Sequence, residues 1–161
     1  MIEPLRFSFS VACQADHAFD VWTARASKWW PKSSTMSQAD GLEVIFEGRS
    51  GGRIFERTPA GKEIEWGEIT VWEPPRRLGY TWHIATDRAS ATEVEITFSD
   101  LGDETTVVNI EHRGWEKLGD RGPGWRDTNR GGWDGTLPHY IAACAAERPD
   151  RNGTDGVPVT L

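Results

Sequence analysis

The chain of 161 residues has the length of one domain, long enough to bury a core and too short for two full ones. With 25 acidic and 18 basic residues its net charge is -7 at pH 7, which argues against nucleic acid or an anionic membrane surface as the main partner. The two cysteines, Cys13 and Cys144, form no CxxC pair and no Cys/His cluster, so reduced and buried thiols are expected and neither a metal nor a cofactor is implied.

The opening segment, LRFSFSVAC, puts Leu5, Phe7, Phe9 and Val11 on one face and Arg6, Ser8 and Ser10 on the other, the period of a half-buried strand. The following stretch, ADHAFDVWTARASKWWP, places Phe19, Trp22 and Ala26 on one helical stripe, with Asp16 as candidate N-cap and Pro31 as stop. This predicts a short helix, with a break near Ser27 and a second short one after it.

Residues 41–113 carry no helical period. They divide into six β-rich runs, LEVIFEG, GRIFERT, EIEWGEITVWE, RLGYTWHI, TEVEITFSD and TTVVNIEHR, joined by short Gly-, Pro- and Asp-bearing connections. Connections of that length favour an antiparallel meander, because parallel strands need longer crossovers. In WEPPRRLGYTW, Pro74 and Pro75 end one strand and Leu78, Tyr80 and Trp82 resume the alternation of the next, which predicts a hairpin corner.

Beyond the insertion at 114–131, Trp133, Leu137, Tyr140 or Ile141, and Cys144 recur at helical spacing. Pro138 and several glycines predict a helix that is kinked or starts late. One domain is expected over residues 1–147, with a flexible polar tail at 148–161. No address signal is visible at the N-terminus and no apolar run approaches the ~20 residues a bilayer needs, so no membrane partner and a cytoplasmic location are expected.

On the Gly51-Gly52 hairpin, the Gly67 strand that feeds WEPPRRLGYTW, the EHRGW end of the seventh strand and the Trp133 to Tyr140 stripe, the chain resembles the START-like, or SRPBCC, helix-grip superfamily. Within it the resemblance is to the branch homologous to the C-terminal domain of the activator of the heat-shock-protein-90 ATPase, over residues of about 3–147. It implies an α+β fold in which a curved antiparallel sheet of six or seven strands wraps a long C-terminal helix, with two short helices after the first strand. It also implies a cavity between sheet and helix that takes a small apolar ligand.

The co-chaperone has a separate N-terminal domain for which these residues leave no room. A chaperone partner and a stress-related co-chaperone role are therefore the weaker alternative implied by the resemblance, and a homodimer is compatible with it. A partner-binding role predicts an exposed apolar patch around Trp115 and Trp125.

Nine tryptophans are unusual for this length and bear on binding more than any ionisable group does. The expected cavity residues are Trp22, Trp29, Trp30, Ile54, Trp66, Tyr80, Trp82, His112, Trp133, Leu137 and Ile141. Consecutive residues cannot both point inward, so either Trp29 or Trp30 is expected to act as a partly exposed lid. Strict alternation puts Trp66 on one face with Ile64, Glu68 and Trp72.

No GxSxG, P-loop, GxGxxG or HExxH motif is present, so catalysis has weak support. Glu56 and His112 are the one acid–base pair to test. For His112 a ring at the cavity end and a structural histidine both remain open. For Glu56 the alternatives are a solvated carboxylate or an inward one that needs a partner such as His112, Arg113 or a Trp N–H.

Overall fold

The computed structural model describes residues 1–146. The tail expected at 148–161 lies outside the described residues. Seven strands form one antiparallel sheet: β1 (Leu5–Val11), β2 (Glu43–Phe46), β3 (Arg53–Arg57), β4 (Glu63–Glu73), β5 (Arg77–Trp82), β6 (Thr92–Gly102) and β7 (Thr105–Arg113). Their order is β1-β7-β6-β5-β4-β3-β2, so six consecutive strands form the expected meander and β1 closes onto β7.

Between β1 and β2 lie α1 (Ala15–Trp22) and two single 3-10 turns, Ala26–Lys28 and Lys32–Ser34. The N-cap of α1 is Gln14 and not Asp16, which sits in the first helical turn and accepts the backbone N–H of His17. After a 3-10 segment at Trp115–Arg121 comes α2, Gly122–Ala146. This helix starts early rather than late and carries Pro138 within it. Trp133, Thr136, Leu137, Tyr140 and Cys144 form its buried stripe.

Alternation along β5, β6 and β7 sends Leu78, Tyr80, Trp82, Val94, Ile96, Phe98, Val108, Ile110 and His112 inward. On β4 it fails. The register of β4 shifts against β3 between Ile54 and Phe55, and against β5 between Ile69 and Val71. As a result Trp66 and Ile69 are both fully buried while Glu68 is exposed. A bulge adds one residue to one strand and re-aims every side chain beyond it. Gly67 permits the close approach of β5 beside this shift, because a Cβ there would lie 1.9 Å from the Thr81 carbonyl oxygen.

Trp72 returns to the inner face and meets Phe19 of α1 edge-on, with ring centroids 5.0 Å apart. The outer face of the sheet is polar, and Arg113 there pairs with Glu93, Glu95 and Glu111. Such exposed pairs contribute little.

Candidate functional site

The space between sheet and α2 is filled and not hollow. Trp22 lies 4.6 Å from Tyr140 and 5.4 Å from Trp29, centroid to centroid, and Trp66 lies 5.7 Å from Trp82. These rings take up the volume in which an open ligand cavity was expected. What remains is a cleft of about 90 Å³ at one end of the grip. Its sheet side is Trp82 with Ile84 in the turn just beyond β5, its helix wall is Asn129, Gly132, Trp133 and Thr136, and its third side is Trp30 and Ser34.

Of the residues expected at a cavity, Trp30, Trp82 and Trp133 line this cleft. Trp22, Trp29, Ile54, Trp66, Tyr80, His112 and Leu137 are buried behind it, and Ile141 is half-buried on α2. Ser34, Ile84, Asn129, Gly132 and Thr136 were missed. The helix-wall positions had a signal, since 129, 132, 133 and 136 continue the Trp133 stripe back by one turn. Ser34 had none.

Trp29 and Trp30 divide as consecutive residues must. Trp29 is buried and donates its indole N–H to the Val21 carbonyl at 2.7 Å. Trp30 is half-buried and donates to the Ser34 carbonyl at 3.2 Å. Its ring fills the gap between Trp66, at 5.1 Å, and Trp82, at 5.9 Å.

Glu56 anchors the segment that carries Trp30. It is fully buried, and its carboxylate accepts the backbone N–H groups of Met36 (2.6 Å) and Ser37 (2.9 Å) and the indole N–H of Trp66 (2.8 Å). The partner is therefore a Trp N–H plus backbone, and not His112 or Arg113. Burial works against the charge, but the Ser37 and Met36 donors and the Trp66 N–H outweigh it and hold the carboxyl below its usual range.

His112 is also fully buried, at the far end of β7. Its Nδ1 accepts the Trp133 indole N–H at 3.0 Å, so Nε2 carries the proton and Thr92 Oγ1 accepts it at 2.6 Å. Burial drives its pKa down to about 3, and the ring is neutral. Among the described residues Glu56 and His112 share no hydrogen-bond partner, so the expected acid–base pair is not assembled.

Two wider grooves lie elsewhere. One, of about 470 Å³, runs between α1 and the Pro74-Pro75 corner over Phe19 and Trp72; the other, of about 450 Å³, crosses the outer face of β1, β6 and β7. Both are somewhat more open to solvent than the cleft. The cleft, although smaller, is where three indoles and three short polar side chains converge, the pattern of a ligand site.

Trp115 is buried, donating its N–H to the His112 carbonyl at 3.0 Å, and Trp125 is half-buried, so the exposed patch expected there is absent. No helix among the described residues is long and apolar enough to cross a membrane.

A curved sheet gripping a C-terminal helix, with a cleft at the mouth, defines a START-like domain. Residues 12–146 match the family described as activator of Hsp90 ATPase homolog 1-like protein, and the chain belongs to it. Among solved structures it is similar to an anthrahydroquino-γ-pyrone synthase, Txn09, complexed with SUM. That likeness has 35% identity and a TM-score of 0.56, over 76% of this chain and 84% of that one. It is also similar to the self-sacrificing resistance protein CalC from Micromonospora echinospora, at 23% identity and TM-score 0.68, over 92% and 98% of the two chains. A third likeness is to the Aha1 dimer from Colwellia psychrerythraea, at 14% identity and TM-score 0.64, over 89% and 96%. The last two are likenesses of fold alone. A search of curated proteins returned no match.

Proposed function

We propose that this protein binds a small, flat aromatic molecule in the cleft bounded by Trp30, Trp82 and Trp133. The observation that carries this reading is the convergence of those indoles with Ser34, Asn129 and Thr136 at the end of the grip. Aromatic faces stack well on indole, and a few polar groups set the orientation of a ligand. Support also comes from the 35% identical relative, whose name describes a synthase of an aromatic pyrone.

A space of about 90 Å³ is below the roughly 300–1,000 Å³ of drug-sized sites. Binding therefore requires Trp30 to leave its place between Trp66 and Trp82. Trp30 suits this role, being half-buried, lying between the two 3-10 turns and holding its ring by one side-chain hydrogen bond. Turnover of the bound molecule is a second reading, favoured by the synthase name of that relative. The homodimer alternative draws on a likeness at 14% identity, and the co-chaperone alternative on that likeness and on the description of the family.

The test is an NMR titration of the indole N–H signals with indane and 1-indanone, bicyclic probes close in size to the indole they would displace. Both should shift Trp30, Trp82 and Trp133. Gly132→Trp should abolish the response, because a Cβ at Gly132 meets nothing within 4 Å and a ring there can occupy the cleft without touching the core. If neither probe moves any of the three signals, the cleft is not a binding site.

A further inference from the structure

Two of the buried polar atoms in the filled interior are out of place. Trp22 on α1 is 0% exposed and Tyr80 on β5 is 1% exposed, yet neither Trp22 Nε1 nor the Tyr80 hydroxyl has a partner in hydrogen-bonding geometry. The Trp22 N–H is directed at the Tyr80 oxygen, outside hydrogen-bonding geometry. Burial pushes the phenol's pKa far up, and the approach of the Trp22 N–H opposes this only in part. Tyr80 is thus a neutral donor throughout the physiological range.

An unpartnered buried hydroxyl is destabilising, and native interiors contain few of them. A phenylalanine at position 80 would fill the same space without that cost. The hydroxyl therefore calls for an explanation other than packing.

Donor chemistry narrows the explanation. An indole N–H only donates, and the phenol proton needs an acceptor. One acceptor oxygen placed between them would take both protons. Each residue also adjoins one wall of the cleft: the Tyr80 ring lies 5.5 Å from that of Trp82, and the Trp22 ring 6.1 Å from that of Trp133.

We propose that Trp22 and Tyr80 form the inner end of the cleft and recognise the carbonyl oxygen of an aryl ketone or quinone that enters past Trp30. This rests on the cleft being the binding site. Two neutral donors match a neutral carbonyl. A carboxylate or phosphate would bring a charge into an apolar interior where these two groups supply no compensating cation. A trapped water is the competing occupant, because these two groups meet the minimum of two polar partners that a buried water needs.

The experiment compares 1-indanone with indane, which differ by the carbonyl, on the wild-type protein and on Tyr80→Phe. Wild type should bind 1-indanone about tenfold more tightly, equivalent to about 1.4 kcal/mol, although indane is the more hydrophobic probe. The Trp22 indole N–H should move downfield with the ketone only. In Tyr80→Phe the two affinities should fall within about twofold of each other, while the melting temperature stays level or rises.

Equal affinities in wild type would overturn the proposal and leave the cleft reading standing. So would a ketone preference that survives in Tyr80→Phe. A lower melting temperature in Tyr80→Phe with no ketone preference in wild type would identify a structural water instead. If neither probe binds, the cleft reading fails and this proposal with it.

Discussion

Trp133 donates its indole N–H to Nδ1 of His112 at 3.0 Å, and this bond ties the gripping helix to the last strand of the sheet. It also fixes the tautomer. Nε2 must carry the proton, Thr92 Oγ1 accepts it at 2.6 Å, and the Thr92 hydroxyl in turn donates to the Trp82 carbonyl at 3.3 Å. The chain of bonds runs from one wall of the cleft to the other through a neutral imidazole, which is a positioning role and not an acid–base one.

Acidification should therefore destabilise the protein well before its carboxylates titrate. With a folded pKa near 3 and an ordinary value of 6.5, His112 takes up its proton in the unfolded chain first. The unfolded state then binds more protons, so this contribution is complete above about pH 7 and declines by about 1.4 kcal/mol per pH unit below about 6.5. Urea unfolding from pH 7.5 to 4.5 should show this slope, and His112→Gln should reduce it by one proton. Parallel slopes in the two proteins would contradict it.

Glu56→Gln should cost roughly 2–3 kcal/mol in urea unfolding, because the new amide N–H₂ must face the backbone N–H of Met36 or Ser37. The depressed carboxyl pKa gives stability that is present above the ordinary value of 4.5 and lost as pH falls through the folded value. That window lies below the one that reports on His112. Equal stability of Gln and Glu at pH 7 would mean that the two backbone amides do not depend on the charge.

Gly67→Ala should be among the most damaging of small substitutions. Its Cβ would sit 1.9 Å from the Thr81 carbonyl oxygen, so β4 and β5 must separate, at a cost of about 3 kcal/mol or more. Gly131→Ala serves as the contrast: nothing lies within 4 Å, and the helix should gain about 0.5–1 kcal/mol. Thermal melts of the two variants should move in opposite directions.

Trp30→Ala should tighten the binding of indane several-fold, about threefold or more, because the apparent affinity of a closed site is reduced by the fraction of molecules that are open. The same variant should lose only about 1–2 kcal/mol of stability, since the ring is half-buried. Unchanged affinity, measured by NMR titration, would show that Trp30 is not what closes the cleft.

The fold was legible where period and punctuation agree. β4 and β7 have the ends that alternation and turn residues mark, and the Trp133 stripe lies inward as its spacing requires. Glu68 was misplaced beside Trp66 because a bulge breaks the very period used to read the strand, and the only local sign of it is a glycine. The early start of α2 was hidden by glycines that weaken a helix in isolation but are tolerated once Trp133 and Tyr140 are docked. The inner residues were legible as a group, but not which of them meet open space. Whether Trp22, Trp66 and Tyr140 enclose a void or fill it depends on how side-chain volumes add across strands, and no spacing rule reports that. Of the partners of Glu56 the Trp N–H was legible as a candidate, but the two backbone N–H groups in the 31–40 connection have no residue signature at all.

The glycines of α2 have a wider consequence. Gly124, Gly131, Gly132 and Gly135 leave the solvent-facing backbone of this helix bare, and each forgoes some intrinsic helicity. The helix thus depends on the sheet for its persistence, and its amides before Trp133 should exchange with solvent sooner than those of β6 and β7. The element that closes the grip is also the one most easily loosened, and Asn129 and Gly132 of the cleft wall stand on that part of it.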